Sequence, residues 1–101
     1  MTELLAALAL AAIIAGEAPG CPVEAKLAVA HVAQRNTVWY ARAEPTAVDV
    51  YVALHWQEHP DPTAGAVFLI GPGDKDKMTG LGERTARFEC NGTYLESYKP
   101  S

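Results

Sequence analysis

The chain has 101 residues, of which 50% are apolar and 20% charged, as is typical of one ordinary folded domain with a modest core. The net charge of -4 argues against a nucleic-acid surface, because phosphate binding needs clustered Lys and Arg, and the eight basic residues are scattered. We therefore expect a single domain over residues 1–101 with no nucleic-acid partner.

The first predicted element is a helix over Leu4–Ala15, which contains only Ala, Leu and Ile. Thr2 is placed to act as its N-cap, and the uniform apolar character predicts a buried central helix. The same stretch is similar to a secretory signal, but Glu3 stands where a basic residue is expected. A run of 12 apolar residues is also too short to span a bilayer. We favour a mature first helix and no membrane span, a choice that N-terminal sequencing of secreted protein would test.

A Pro/Gly break at Pro19–Pro22 separates this helix from a second one, predicted over Val23–Arg35. Four residues recur at helical spacing and are expected to face the core: Ala25, Ala28, Val29 and Val32. The polar residues are expected on the other faces: Glu24, Lys26, His31, Gln34 and Arg35.

A connector over Asn36–Glu44 follows, and its Val38-Trp39-Tyr40 is the densest aromatic spot in the chain. These aromatics either anchor the connector to the core or form a stacking wall for a ligand such as a sugar. Pro45 then opens a third helix that ends before Pro60. Its apolar positions are Ala47, Val50, Tyr51 and Leu54, with Asp49 and Gln57 expected to point outward.

The periodicity changes in the last third of the chain. The short apolar run Ala66–Ile70 predicts a buried strand, and Gly71–Gly82 a polar loop. Two further strands, Arg84–Cys90 and Thr93–Tyr98, flank Asn91-Gly92, which favours a hairpin with a type I′ turn. The predicted class is α+β, with about three helices followed by a small antiparallel sheet that ends in a hairpin.

Cys21 and Cys90 are the two cysteines of the chain. Spacing alone leaves open whether they form one long-range disulfide or remain two separate thiols.

Glu17 follows the apolar first helix after a single glycine, Gly16. Desolvation at such a position raises the pKa of a carboxyl group, which is the environment that a general acid needs. The simpler interpretation is a solvated residue in a turn that ends the helix.

A second candidate is His55-Trp56-Gln57-Glu58-His59, which fits the pattern H-x-x-E-H. On one continuous helix the two His side chains would share a face and could hold Zn²⁺, with Glu58 as base. The pattern is short and no third ligand stands at a defined spacing, so a solvated helix end is the preferred interpretation. We expect no metal and no cofactor.

Two ordered blocks of the sequence give a more specific indication. The first is Gly16-Glu17-Ala18 with Gly20, followed by Leu27 to Asn36. The second is Asp61-Pro62-Thr63-Ala64-Gly65-Ala66. Together they resemble SleB-type cell-wall hydrolases, which have a helix closing on G-E-A-x-G, a helix reading A-V-A-x-V-x-x-N-R, and then D-P-T-x-G-A before a strand. Here the N-R pair is inverted as Arg35-Asn36, and Arg87-Phe88 resembles the closing strand.

The resemblance implies a lysozyme-like or lytic-transglycosylase-like domain that acts on the glycan strand of peptidoglycan, with Glu17 as the catalytic acid. No Asp or Glu is tied to Glu17 by spacing, so a one-acid transglycosylase is the more natural expectation than a two-carboxylate hydrolase. The expected groove-lining residues are Thr63, Tyr51, Phe68 and Trp39. Such a protein would act at the cell wall, in the periplasm or outside the cell, as phage lysis proteins do.

The alternative is a catalytically inactive glycan-binding domain, or a structural protein of a phage or cell envelope.

Overall fold

The computed structural model describes residues 2–36, 40–73 and 81–100, and it confirms the predicted α+β class. Three helices precede a three-stranded antiparallel sheet. The helices are α1 (Thr2–Glu17), α2 (Val23–Arg35) and α3 (Ala47–His55), which continues into a 3-10 turn over Trp56–Glu58. The strands are β1 (Phe68–Ile70), β2 (Glu83–Cys90) and β3 (Thr93–Lys99).

Helix α1 starts at Thr2, so Thr2 belongs to the helix instead of preceding it. Its second half is buried through Leu10, Ala11, Ile14 and Ala15. The prediction of a fully buried helix is wrong for the first half, where Leu5 is 67% exposed. Among the residues that the structure describes, no helix has the length and apolar character needed to cross a bilayer.

Helix α2 has the predicted bounds, and its predicted core residues are all buried. The prediction for two of its polar residues is wrong, because Lys26 and His31 are buried as well. Lys26 reaches an acidic partner on α3, and the His31 ring packs edge-on against Trp56 with centroids 5.0 Å apart.

Helix α3 turns a different face to the core from the one that its apolar residues predict. Asp49, Val52 and Ala53 are buried, whereas Tyr51 and Leu54 are about half exposed, at 53% and 52%. Asp49 faces inward because it forms a capping box with Thr46 and an ion pair with Lys26. The expectation that Asp49 points outward is therefore wrong.

The sheet has the strand order β1-β3-β2, and both pairs are antiparallel. The predicted hairpin is confirmed, with Cys90 opposite Thr93 across Asn91-Gly92. The expected type I′ turn is wrong, because it needs positive φ at both central residues, and here Gly92 has φ +79° while Asn91 does not lie in that region. A positive φ at the second position alone is the pattern of a type II turn.

The core lies between the helices and the sheet face that carries Phe88 and Leu95. A disulfide between Cys21 and Cys90 joins the loop after α1 to the end of β2. This bond decides the question that the spacing of the two cysteines leaves open.

Candidate active site

Glu17 is the last residue of α1, and its side chain is half-buried. The backbone N–H of Ala41 in the connector donates a hydrogen bond of 3.0 Å to Oε1 of Glu17. This carboxyl group is therefore held in place and is not the freely solvated group of the simpler interpretation.

Gly16 explains how the connector comes so close to the end of α1. A Cβ atom at Gly16 would lie 2.3 Å from the carbonyl oxygen of Ala41, so only glycine fits here. One helical turn before Gly16, the carbonyl oxygen of Ala12 accepts a hydrogen bond of 3.0 Å from the N–H of Ala43. The glycine before Glu17 thus brings the connector within hydrogen-bonding distance of the Glu17 carboxyl group.

Tyr40 is a second neighbour of Glu17. Burial, and then the negative charge of Glu17, raise the pKa of the Tyr40 phenol above its ordinary value. The Tyr40 hydroxyl donates to the carbonyl oxygen of Asn36. The sequence marks Tyr40 as part of an aromatic spot, but no local pattern indicates that it lies near Glu17.

The Ala41 amide and the end of α1 favour different forms of the Glu17 carboxyl group. The Ala41 N–H donor stabilises the carboxylate form. The C-terminal end of α1, where the helix dipole is negative, stabilises the neutral acid. A group that must release a proton and then take one back needs both forms to be accessible.

The two sequence blocks meet in space at the end of α2. Arg35 donates through Nη1 to the carbonyl oxygen of Ala66 at 3.0 Å and to Thr63 Oγ1 at 3.4 Å, and through Nη2 to Asp61. The same Asp61 accepts hydrogen bonds from the Thr63 amide at 2.8 Å and from the Gly65 amide at 3.0 Å. Burial alone would raise the pKa of the Asp61 carboxyl group, but these hydrogen bonds outweigh it and hold that pKa well below its usual range.

Asn36 connects this network to the surroundings of Glu17. Its side-chain amide donates to the carbonyl oxygen of Val67 at 2.7 Å, and its own carbonyl oxygen accepts from Tyr40. The hydrogen bonds therefore lead from Glu17 to Ala41, which follows Tyr40 in the chain, and from Tyr40 through Asn36 to the residue before β1.

The expected groove-lining residues differ in how far they are exposed to solvent. Thr63 is fully buried, and its hydroxyl contacts Asp61 and Arg35, so in this structure it shapes the turn and does not reach the surface. Tyr51 is exposed on α3 with its ring 4.6 Å from that of His55. Phe68 is half-buried in β1, opposite Tyr98. Trp39 lies outside the described residues.

A buried ion pair lies next to the end of α1 and was not expected from the sequence. Lys26 Nζ donates to Asp49 Oδ1 at 2.5 Å and to the carbonyl oxygen of Ala18 at 3.0 Å. Burial alone would raise the pKa of Asp49, but hydrogen bonds from Lys26 and Thr46 outweigh it and lower that pKa. A charged residue at a polar position of a helical pattern gives no signal of such burial.

The zinc hypothesis for H-x-x-E-H required one continuous helix through both His residues. Helix α3 instead ends at His55, His59 has an extended backbone, and His55 Nδ1 contacts the Glu58 carboxylate. Within residues 2–36, 40–73 and 81–100, no group of three or more His, Cys, Asp or Glu is arranged to hold a metal ion.

Comparison with known proteins adds no family assignment. No family model matches this chain, and no curated protein or solved structure matches it either.

Proposed function

We propose that this protein is a lysozyme-like domain that cleaves the glycan strand of peptidoglycan, with Glu17 as its acid and base. The observation that carries the proposal is the fixed, half-buried carboxyl group at the end of an apolar helix, beside the connector. The two sequence blocks that resemble cell-wall hydrolases support it further, since Arg35 of one block binds Asp61 and Thr63 of the other.

The chemistry needs one carboxylic acid. Glu17 in its neutral form donates its proton to the glycosidic oxygen as the bond from that oxygen to the anomeric carbon breaks. The resulting Glu17 carboxylate then takes a proton from the attacking group. If that group is a hydroxyl of the same sugar, the product is an anhydro-sugar, and if it is water, the product is a reducing end. We favour the anhydro product, because sequence spacing ties no second carboxylate to Glu17.

The surroundings of Glu17 suit a polymeric, neutral sugar more than a charged ligand. Tyr40 precedes Ala41, whose amide binds Glu17, so it supplies an aromatic ring close to the acid along the chain, and aromatic rings are common surfaces for sugars. The exposed charged residues in the described part of the connector are Arg42 and Glu44, whose charges are opposite, so a polyanion would gain no net attraction there.

A non-catalytic role is the second candidate, and one observation favours it. The contact between Glu17 and Ala41 ties the connector to α1, which gives Glu17 a structural use without any chemistry. In that case the domain would bind glycan or serve as an envelope protein without cleaving anything.

The variant Glu17→Gln separates the two roles. Its amide oxygen can still accept from Ala41, so we expect unchanged folding, while the acid is lost. Purified peptidoglycan is incubated with the wild type, with Glu17→Gln and with the matched control Glu44→Gln, and released soluble fragments are measured. The proposal predicts release by the wild type and by Glu44→Gln only. Equal release by all three proteins, or no release by the wild type, would contradict it.

A further inference from the structure

The ion pair between Lys26 and Asp49 takes no part in the chemistry proposed above, yet it lies beside the candidate acid. The two side chains are only 7% and 1% exposed. Two charges removed from water usually gain little over a well-packed apolar pair. Stability alone therefore does not explain why a lysine occupies this position.

The second contact of Lys26 indicates what it does there. Its ammonium group donates to the carbonyl oxygen of Ala18, the residue directly after Glu17. The last carbonyl groups of a helix have no partner within the helix, and a cation near them is favourable. The Ala18 oxygen also accepts from the Cys21 amide at 3.3 Å, so the backbone just after Glu17 is held from two sides.

Asp49, the partner of Lys26, links the lysine to helix α3. Asp49 accepts the backbone N–H of Thr46 at 2.8 Å through Oδ2, and its Oδ1 accepts from Lys26. Lys26 thus joins the C-terminal end of α1 to the N-terminal end of α3. The connector, which includes Ala41, leads to that same N-terminal end.

We propose that Lys26 is a positioning residue that keeps the Glu17 carboxyl group against the Ala41 amide. This role rests on the proposed function, because it concerns the residue assigned there as the acid. A hydrophobic residue of similar size could not take this role, because it has no donor for the Ala18 carbonyl oxygen.

The test compares two variants that both lose the ion pair. In Asp49→Asn the ammonium group can still donate to Ala18, and the new amide can keep the cap at Thr46. In the double variant Lys26→Met/Asp49→Asn the contact with Ala18 is lost as well. The first readout is amide hydrogen exchange at Ala41. The second is the NMR titration of the Tyr40 ring, whose pKa is raised by burial and then by the charge of Glu17. Neither readout needs a substrate.

We expect exchange at Ala41 to become at least about tenfold faster in the double variant, relative to core amides such as that of Val29. The Tyr40 titration should move toward its ordinary value, and in Asp49→Asn both readouts should stay close to the wild type. Unchanged exchange at Ala41 in the double variant, or the same change in both variants, would overturn the proposal.

If the double variant does not fold, Lys26→Leu/Asp49→Asn provides the same comparison, because leucine also has no donor for the Ala18 carbonyl oxygen. A wild type that cleaves no glycan would contradict the proposed function, whereas the exchange data decide the role of Lys26 separately.

Discussion

Arg35 at the end of α2 and Asp61 in the turn before β1 form an ion pair between residues 26 positions apart. Their side chains are 32% and 17% exposed, so the pair is partly protected from water. It joins the two sequence blocks on which the resemblance to cell-wall hydrolases depends.

Replacing Asp61 with Ala should destabilise the protein by about 3 kcal/mol, because Arg35 and the Thr63 and Gly65 amides lose their common acceptor. Urea unfolding measures the change. The matched control is Glu58→Ala, which breaks the exposed pair with His55 and should cost less than about 1 kcal/mol. Equal losses in the two variants would show that the turn does not depend on Asp61.

Stability should fall in acid. The pKa values of Asp49 and Asp61 are lower in the folded protein than their ordinary values. Each carboxylate therefore contributes stability that is complete above the unfolded pKa of about 4 and is lost as the pH falls toward the folded pKa. Unfolding midpoints in urea should decrease below about pH 4, and the decrease should be smaller in Asp61→Asn. A midpoint that stays constant down to about pH 2 would contradict this assignment.

Gly16→Ala should destabilise the protein by about 1 to 3 kcal/mol, although alanine is normally better than glycine in a helix. The added Cβ would lie 2.3 Å from the Ala41 carbonyl oxygen and push the connector away from Glu17. Thermal unfolding measures the loss. Gly73→Ala is the control, since a Cβ there meets no atom of the described residues within 4 Å, and it should leave stability nearly unchanged.

Removing the disulfide by Cys21→Ser/Cys90→Ser should cost about 4 kcal/mol, because the bond closes a loop between residues 69 positions apart. Urea unfolding of the variant and of the oxidised wild type gives the difference. Thiol titration of the unfolded wild type without reductant should find no reactive cysteine, and two reactive thiols would contradict the bond.

Local patterns in the sequence are sufficient to predict that the three helices and the hairpin are present. The apolar spacing of Ala25, Ala28 and Val29 predicts helix α2, and Asn91-Gly92 predicts the hairpin. These features depend on residues that are close together in the chain, so periodicity and turn chemistry report them directly.

The site depended on contacts that local patterns do not contain. Ala41 reaches Glu17 across 24 positions, and Lys26 reaches Asp49 across 23. A charged residue is normally expected at the surface, so the apolar spacing predicts that Tyr51 and Leu54 face the core and that Asp49 does not. In the structure Asp49 is the buried residue of the three. The burial of Asp49 becomes understandable only when its partners on α2 and at the N-terminus of α3 are known.

Mass spectrometry of the fragments released from purified peptidoglycan tests the central assignment most directly, because anhydro ends and reducing ends differ in mass by one water. We predict anhydro-ended fragments from the wild type and none from Glu17→Gln, with both proteins folded to the same extent. Glycan strands left intact by the wild type, or the same fragments from Glu17→Gln, would contradict the assignment of Glu17 as the acid.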